Sequence, residues 1–494
     1  MIDTTNLLDK QIPHVKRLID SLHLNGFAAD LSETGCGKTY CASVTAREVN
    51  VPIFIICPKI VIPSWKAVLK EVGIKPLAIR NYESLIRGNK NSFYTSWVKE
   101  DHPTKKDTKG NPVKMDRLRF NKRLPDNALV IYDEAHKCKA LDSSNSELLV
   151  TAREQGFKTL LLSASAATNP IEMKAFGFVT HLHGYREQND FKRNFAAHHG
   201  AEWTGRFGTM TFDPESEEAR KSMKAIHNYL FKTVKCASRL TRKIMKAHFG
   251  NSHVMADALD MKSNTTKINK VYEIMEYELA QLDERAGNYS SHIFAIMMEA
   301  RRRAELLKIP TYVETALNSL REGNSIAVFL NFNESIDSMN KLLQKKLSTK
   351  AGKEEYGDIG ISFIRGGQTD LARERDIAAF QADENRIIIA NIVAGGVGVS
   401  LHDLNGQHPR HSIISPNYSA VQLLQALGRS DRAQAKTDSL QQIIYAAETI
   451  EEQACRRVQA RLNNLSLLND GDMTSGIKFY GPVDFDIHNT PQAA

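Results

Sequence analysis

Long apolar runs and cysteines are both scarce in this chain of 494 residues. No stretch approaches the ~18 consecutive apolar residues of a membrane-spanning helix, and the first residues carry neither the basic nor the apolar segment of a secretory signal. The six cysteines are scattered without the paired spacing of metal ligands, which argues against a disulfide scaffold and against a zinc site. These absences predict an intracellular protein with no membrane partner.

The composition is that of a globular protein with a basic charge balance. Hydrophobic residues make up 42% of the chain and charged residues 25%, and the length suits two or three domains. A formal net charge of +8 favours an anionic partner such as nucleic acid, although many proteins carry similar charge for solubility alone.

A glycine-containing loop near the start of the chain has the pattern that binds nucleotide phosphates. Its residues are Thr34, Gly35, Cys36, Gly37, Lys38 and Thr39. The two glycines let successive backbone N–H groups point at the phosphates, the lysine adds a charge near the β- and γ-phosphates, and the last threonine offers a hydroxyl to Mg²⁺. Ser32 stands where a glycine is expected. The next residues, 40–49, predict a helix whose N-terminus faces the phosphates.

Two carboxylates, Asp133 and Glu134, end an apolar run that begins at Leu129. Such a run predicts a buried parallel strand that delivers both acids to its carboxyl edge. There Asp133 would hold Mg²⁺, and Glu134 would orient and deprotonate the attacking water. Together with Lys38, these acids predict a site that hydrolyses ATP.

The second half of the chain predicts another α/β lobe. Segments 325–332, 361–368, 387–400 and 411–416 each begin with an apolar run and alternate with helical patterns, which indicates a parallel sheet. After them, Arg429 and Arg432 lie three residues apart, so both can face one partner.

These motifs resemble those of superfamily 2 helicases. Residues 53–65, 81–85 and 160–170 are similar to the family's further motifs in the first lobe, and residues 425–432 fit its arginine motif. Segments 365–367, 394–398 and 448–452 resemble the Swi/Snf-type translocases, particularly compact viral or phage members. The resemblance implies an α/β fold of two RecA-like parallel-sheet lobes, at 1–186 and 303–465, with a helical insertion at 187–302 and a tail at 466–494.

The same resemblance assigns roles to individual residues. Gln11 would read adenine, and Arg429 and Arg432 would reach the γ-phosphate of ATP. The residues that would contact nucleic acid are Lys59, Ser64, Trp65, Arg365, Gly366, Gly395 and Gly396. The implied cofactors are ATP and Mg²⁺.

The implied function is an ATP-dependent translocase or helicase acting on duplex or branched DNA without sequence specificity, with RNA as the less favoured partner. We expect a monomer. Gly428 and Asp431 depart from the usual Swi/Snf residues, so a strand-separating helicase stays open, as does a nucleotide-switched scaffold with little motor activity. The basic insertion at 87–127 is interpreted either as a DNA contact or as a solvated surface.

Overall fold

The computed structural model describes residues 3–87, 92–204, 209–249, 251–282, 289–395, 399–433 and 435–471. Its strands are β1 (Phe27–Asp30), β2 (Ile53–Cys57), β3 (Ala78–Asn81), β4 (Thr95–Lys106), β5 (Pro112–Phe120), β6 (Leu129–Asp133), β7 (Lys158–Leu162), β8 (Glu202–Thr204), β9 (Thr209–Thr211), β10 (Ala237–Ser238), β11 (Ser252–Leu259), β12 (Ser325–Leu330), β13 (Ile361–Ile364), β14 (Ile387–Asn391), β15 (Arg410–Ile414) and β16 (Ser439–Ala446).

The α-helices lie between and after these strands. They are α1 (Gln11–Leu24), α2 (Lys38–Val49), α3 (Ile62–Val72), α4 (Tyr82–Ile86), α5 (Ser144–Glu154), α6 (Lys174–Val179), α7 (Gln188–Phe191), α8 (Glu217–Asn228), α9 (Ser263–Ala280), α10 (Tyr289–Arg321), α11 (Asn333–Leu347), α12 (Lys350–Tyr356), α13 (Asp370–Gln381), α14 (Ile392–Gly395), α15 (Ala420–Leu427) and α16 (Ile450–Asp470).

The described chain divides into two units. The first runs to Met245 and also takes the described residues from Ala460 onward, and the second runs from Lys246 to Gln459. The predicted insertion at 187–302 is thus divided between the units. Residues 466–470 of the predicted tail belong to α16, and residues 472–494 lie outside the described residues.

The first unit is built on a six-stranded sheet in the order β10-β1-β7-β6-β2-β3. All neighbours are parallel. Its inner strands are continuous apolar runs with little exposed surface, such as Ile53–Cys57, because helices cover both faces of a parallel sheet. Parallel strands end at a common edge, so the loops after β1, β2, β3, β6 and β7 all emerge at the carboxyl edge of this sheet.

The second unit has its own six-stranded sheet, in the order β11-β16-β15-β12-β14-β13, which is also parallel throughout. The prediction of two parallel-sheet α/β lobes is therefore confirmed. One local prediction is wrong. Residues 254–261 were expected within a helical stretch, but Ser252–Leu259 forms strand β11, because all eight of its residues pair with β16.

The basic insertion contains an antiparallel hairpin of β4 and β5, in register from Thr95↔Phe120 to Asp101↔Lys114. Its base is anchored, since Leu118 and Phe120 are buried in the core of the first unit. Residues 105–114 at the far end are exposed. Separately, none of the helices in the described ranges is long and apolar enough to cross a membrane.

Candidate active site

The phosphate loop joins β1 to α2 with two glycines in the left-handed region. Gly35 has φ 86° and Gly37 has φ 84°, conformations that side chains other than glycine rarely adopt. Lys38 begins α2, and its Nζ donates to the carbonyl oxygens of Ser32 at 2.8 Å and Glu33 at 3.0 Å. The predicted helix after the loop is confirmed, and its N-terminus opens onto the loop.

Gln11, at the start of α1, contacts this loop directly. Its Nε2 donates to the carbonyl of Cys36 at 2.9 Å, and its Oε1 accepts from the Leu8 N–H at 2.8 Å. A Cβ at residue 37 would lie 2.4 Å from the same Nε2 and would displace the Gln11 amide, while the positive φ of Gly37 is what favours glycine there. Burial raises the pKa of the Cys36 thiol to about 12, which makes this thiol a neutral packing group.

A segment more than 200 residues away in sequence supports the loop, and no sequence pattern predicted this contact. Ser32, which replaces the expected glycine, accepts at Oγ from the Leu240 N–H at 2.9 Å. The backbone N–H of Arg242 donates to Glu33 Oε2 at 2.7 Å, and the guanidinium of Arg242 lies 3.4 Å from Thr34 Oγ1. The hydroxyl therefore gives Ser32 a structural role that glycine lacks.

Asp30 lies directly beneath the loop and is fully buried. Its Oδ1 accepts from the Ser32 N–H at 2.9 Å, and its Oδ2 lies 3.1 Å from Nε2 of His14. Burial alone would raise the pKa of Asp30, but His14, Lys38 and the Ser32 bond outweigh it and lower the pKa. A carboxylate held in this way fixes the first residues of the loop.

Asp133 ends β6 at the same edge of the sheet. Its Oδ2 accepts from Trp65 Nε1 at 2.8 Å and its Oδ1 from the Glu134 N–H at 2.9 Å. Burial, and after it the charge of Glu134, raise the pKa of Asp133 to about 6, while Lys38 opposes the shift. Lys38 follows β1 and Asp133 ends β6, so both residues lie at the carboxyl edge of this sheet.

Glu134 adopts a left-handed conformation, φ 55° and ψ 49°, which costs a non-glycine residue energy and is common at functional sites. Its Oε2 lies 3.2 Å from Nδ1 of His136, and that nitrogen lies 3.4 Å from Ser163 Oγ. Ser163 follows β7, so the acid is linked through His136 to the next strand of the sheet. No sequence signal had singled out His136 for this link.

In the second unit, Arg429 and Arg432 share one partner, as their spacing predicted. The carbonyl oxygen of Val399 accepts from Arg429 Nη1 at 3.2 Å and from Arg432 Nη2 at 2.8 Å. Arg429 is nearly buried, with 3% of its surface exposed. The two arginines lie in the turn after α15, and Val399 lies at the end of the glycine-containing segment that follows β14.

The chain is 32% identical over 485 residues to the Acanthamoeba polyphaga mimivirus protein named "Putative ATP-dependent RNA helicase L364", a match that covers 95% of this chain and 85% of the viral one. This chain belongs to the ATP-dependent helicases. It is a nucleic-acid-dependent ATPase that uses ATP. No family model matches the chain.

Solved structures also match, two of them over most of the chain. One is the Sulfolobus solfataricus SWI2/SNF2 ATPase core in complex with dsDNA, at 14% identity and a TM-score of 0.36, covering 96% of this chain and 94% of that one. The other is S. cerevisiae Dbp5 bound to RNA and ADP BeF3, at 12% identity and a TM-score of 0.43, covering 91% and 86%.

The residues that we predicted to contact nucleic acid on the first lobe of this helicase ATPase have two different environments. Lys59 and Ser64 follow β2 and are exposed at the carboxyl edge. Trp65 is fully buried, and its indole N–H is bonded to Asp133. A buried indole offers no surface to nucleic acid, so the structure corrects this prediction: Trp65 positions the acid.

On the second lobe of the helicase ATPase, Arg365 and Gly366 lie exposed after β13, where the guanidinium of Arg365 is 2.7 Å from Asp337 Oδ1. Gly395 is buried, and a Cβ there would lie 2.8 Å from that of Ala390, so packing alone requires the glycine. Gly396 lies outside the described residues.

We expect Trp65→Phe to lower ATP turnover about tenfold without weakening nucleic-acid binding. The substitution keeps a buried ring but removes the hydrogen bond to Asp133, which we expect to hold Mg²⁺, and loss of a group that orients a metal ligand commonly costs 10- to 100-fold. Steady-state turnover against Mg²⁺ concentration and the Kd for DNA measure the two effects. Unchanged turnover with weaker DNA binding would contradict the positioning role and restore the contact that the sequence predicted.

Proposed function

We propose that this helicase ATPase couples ATP hydrolysis to movement along double-stranded or branched DNA. The observation that carries the proposal is the second complete α/β lobe, whose two arginines converge on the glycine-containing segment at Val399. A single phosphate-loop lobe serves kinases and switches as well as motors, whereas two lobes can hold a strand alternately. The resemblance of segments 365–367, 394–398 and 448–452 to Swi/Snf translocases supports DNA as the substrate.

In the proposed reaction a water attacks the γ-phosphorus of ATP and the bond to the bridging β–γ oxygen breaks. Glu134 accepts the proton of that water, and Lys38 neutralises charge on the β- and γ-phosphates. Loop N–H groups at Gly35 and Gly37 hold the phosphates from the N-terminus of α2. No covalent intermediate with the protein is needed.

Thr39 and Asp133 would hold Mg²⁺. The residues fit a divalent cation, because burial and, after it, the adjacent Glu134 carboxylate raise the pKa of Asp133, and an added positive charge would favour the ionised carboxylate. When bound, the ion supplies charge neutralisation to the phosphate oxygens. The chain's own contribution is to hold Asp133 in place through Trp65 and the Glu134 N–H.

Gln11 would read the adenine of ATP. In the structure its amide bonds Cys36 and Leu8, so we propose that it links recognition of the base to the shape of the phosphate loop.

Arg432→Ala should leave ATP binding within about threefold of the wild type while reducing hydrolysis by at least 100-fold. We propose that Arg429 and Arg432 contact the γ-phosphate only when ATP draws the lobes together, so they stabilise the transition state more than the bound ground state. Binding of a fluorescent ATP analogue and release of phosphate measure the two quantities. Loss of binding equal to the loss of hydrolysis would contradict this role.

An RNA helicase is the second candidate, and the name of the mimivirus relative favours it. ATP turnover with single-stranded DNA, duplex DNA, forked DNA and RNA, compared at one salt concentration, distinguishes the substrates. The proposal predicts the largest stimulation by duplex or forked DNA. Larger stimulation by RNA would favour an RNA helicase. If none of the four nucleic acids stimulated ATP turnover, a nucleotide-switched scaffold would be favoured.

Movement and strand separation are distinguished by a further pair of assays. A translocase on duplex DNA displaces a third strand from a triplex, whereas a strand-separating helicase unwinds a forked duplex. Robust fork unwinding without third-strand displacement would reject the translocase in favour of the unwinding enzyme.

A further inference from the structure

Phe93 precedes β4 with 59% of its surface exposed, although it adjoins the core of the first unit through Tyr94. Its ring centroid lies 4.9 Å from that of Tyr94, with an angle of 76° between the rings. Isolated exposed hydrophobic residues are common and need no explanation. Phe93 is different because charged groups surround it.

Two arginines accompany this pair of rings. Arg123 places Cζ 4.2 Å from the centroid of Phe93, and its Nη1 donates to the carbonyl of Phe93 at 2.9 Å. Arg80 places Cζ 5.4 Å from the centroid of Tyr94. Both arginines are exposed, and in the described part of the chain neither has a carboxylate oxygen within 4.0 Å. Their positive charge is therefore available to an anionic partner.

The position of this group matters as much as its composition. Arg80 lies on β3, the edge strand of the first sheet, one residue before its carboxyl end. Lys59 and Ser64 emerge from the same edge after β2. The Phe93 surface, defined as Arg80, Phe93 and Arg123, therefore begins with Arg80 near this edge, and its other two residues lie toward the amino ends of the strands, because Tyr94 packs on Phe54 near the start of β2 and residue 123 precedes β6.

We infer that the Phe93 surface binds single-stranded nucleic acid, with one base stacked on the Phe93 ring and the phosphates beside it held by Arg80 and Arg123. Aromatic rings stack bases of any sequence, and guanidinium groups both neutralise phosphates and stack on rings. Bases inside a duplex have both faces covered by their neighbours, so an exposed phenyl ring selects an unstacked base. The inference rests on the proposed function for its nucleic-acid partner and adds a preference for strands that are open or branched.

With Arg123 over the ring and Tyr94 meeting it at a steep angle, the exposed fraction of Phe93 lies on its remaining surface. The backbone is fixed as well, because the carbonyl of Phe93 also accepts from Asn121 Nδ2 at 3.0 Å. The Phe93 ring is therefore preorganised, because hydrogen bonds fix its backbone and the Arg123 guanidinium packs over the ring. Preorganisation reduces the entropy lost when a base stacks on the ring.

The test compares Phe93→Ala with Phe294→Ala, a control of the same residue type and similar exposure, 65%, on α10 of the second unit. Fluorescence anisotropy with a short single-stranded oligonucleotide and with a blunt duplex gives Kd at several salt concentrations. We expect Phe93→Ala to weaken single-strand binding roughly tenfold with duplex binding unchanged, and Phe93→Trp to restore it. Arg123→Ala should lower the slope of log affinity against log salt by about 1.

Unchanged single-strand binding in Phe93→Ala, or an equal loss on the blunt duplex, would overturn the stacking site while leaving the proposed function intact. An equal loss in Phe294→Ala would also overturn it, because the effect would then not belong to this surface. If the wild-type protein bound no nucleic acid and its ATP turnover did not respond to any, the proposed function and this inference would both fail. Circular dichroism of each variant checks that the exposed substitutions leave the fold intact.

Discussion

Lys38→Ala should reduce ATP turnover by at least 100-fold. In the structure the Lys38 ammonium lies at the N-terminus of α2, bonds the carbonyls of Ser32 and Glu33, and lies near enough to Asp133 to affect its pKa. We expect ATP phosphates to replace those carbonyls as partners. Removing a positioned cation that stabilises the transition state commonly costs two to three orders of magnitude. Phosphate release at saturating ATP and DNA measures the loss.

The matched control for this prediction is Lys70→Ala, which removes an exposed lysine from α3 of the same unit. Its turnover should equal that of the wild type. Because Lys38 also bonds two carbonyl oxygens of the loop, thermal unfolding of both variants must be compared, and we expect no large difference between them. If Lys38→Ala hydrolysed ATP at close to the wild-type rate, this loop would not be part of the active site.

Glu134→Gln should abolish multiple turnovers while preserving ATP binding. The substitution keeps the shape of the side chain but removes the proton acceptor for the attacking water, which typically contributes 10²- to 10⁴-fold. Glutamine also retains the backbone N–H that bonds Asp133 and can adopt the same left-handed conformation at similar cost. Single-turnover hydrolysis, measured beside equilibrium binding of ATP, separates the chemical step from affinity.

For Glu134→Gln the control is Glu322→Gln, an exposed glutamate of the second unit, which should behave as the wild type. The Glu134→Gln variant should accumulate in the ATP-bound state. In the presence of ATP, its complex with nucleic acid should therefore last longer than that of the wild type. A Glu134→Gln protein that hydrolyses ATP at the wild-type rate would show that another group accepts the proton.

The strongest local patterns predicted both the elements and their positions. The apolar start of segment 387–400, for example, forms the buried parallel strand Ile387–Asn391, because its composition suits a sheet covered on both faces. The loop around Gly35 and Gly37 was predictable because its conformation demands glycine. Likewise, the spacing of Arg429 and Arg432 was enough to predict a shared partner.

Other features depended on partners that the sequence does not reveal. Strand β11 contains residues of good helical propensity, such as Met255 and Ala256, and becomes a strand because β16 pairs with it from almost 190 residues away. Trp65 was predicted as a nucleic-acid contact because its neighbours resemble one, and only the fold places its indole against Asp133. The hydrogen bonds from Leu240 and Arg242 to the phosphate loop also depend on the fold and could not be predicted from the sequence.

That distant support has a practical consequence for dissecting the molecule. β10 completes the edge of the first sheet beside β1, and the end of α16 contributes Leu467 and Leu468 to the same core. A fragment cut after the last motif of the first lobe, near residue 186, would therefore lose the neighbours that hold the nucleotide loop. An expression plasmid for an isolated nucleotide-binding half must carry residues through Arg242 and, fused or added in trans, the segment 460–471.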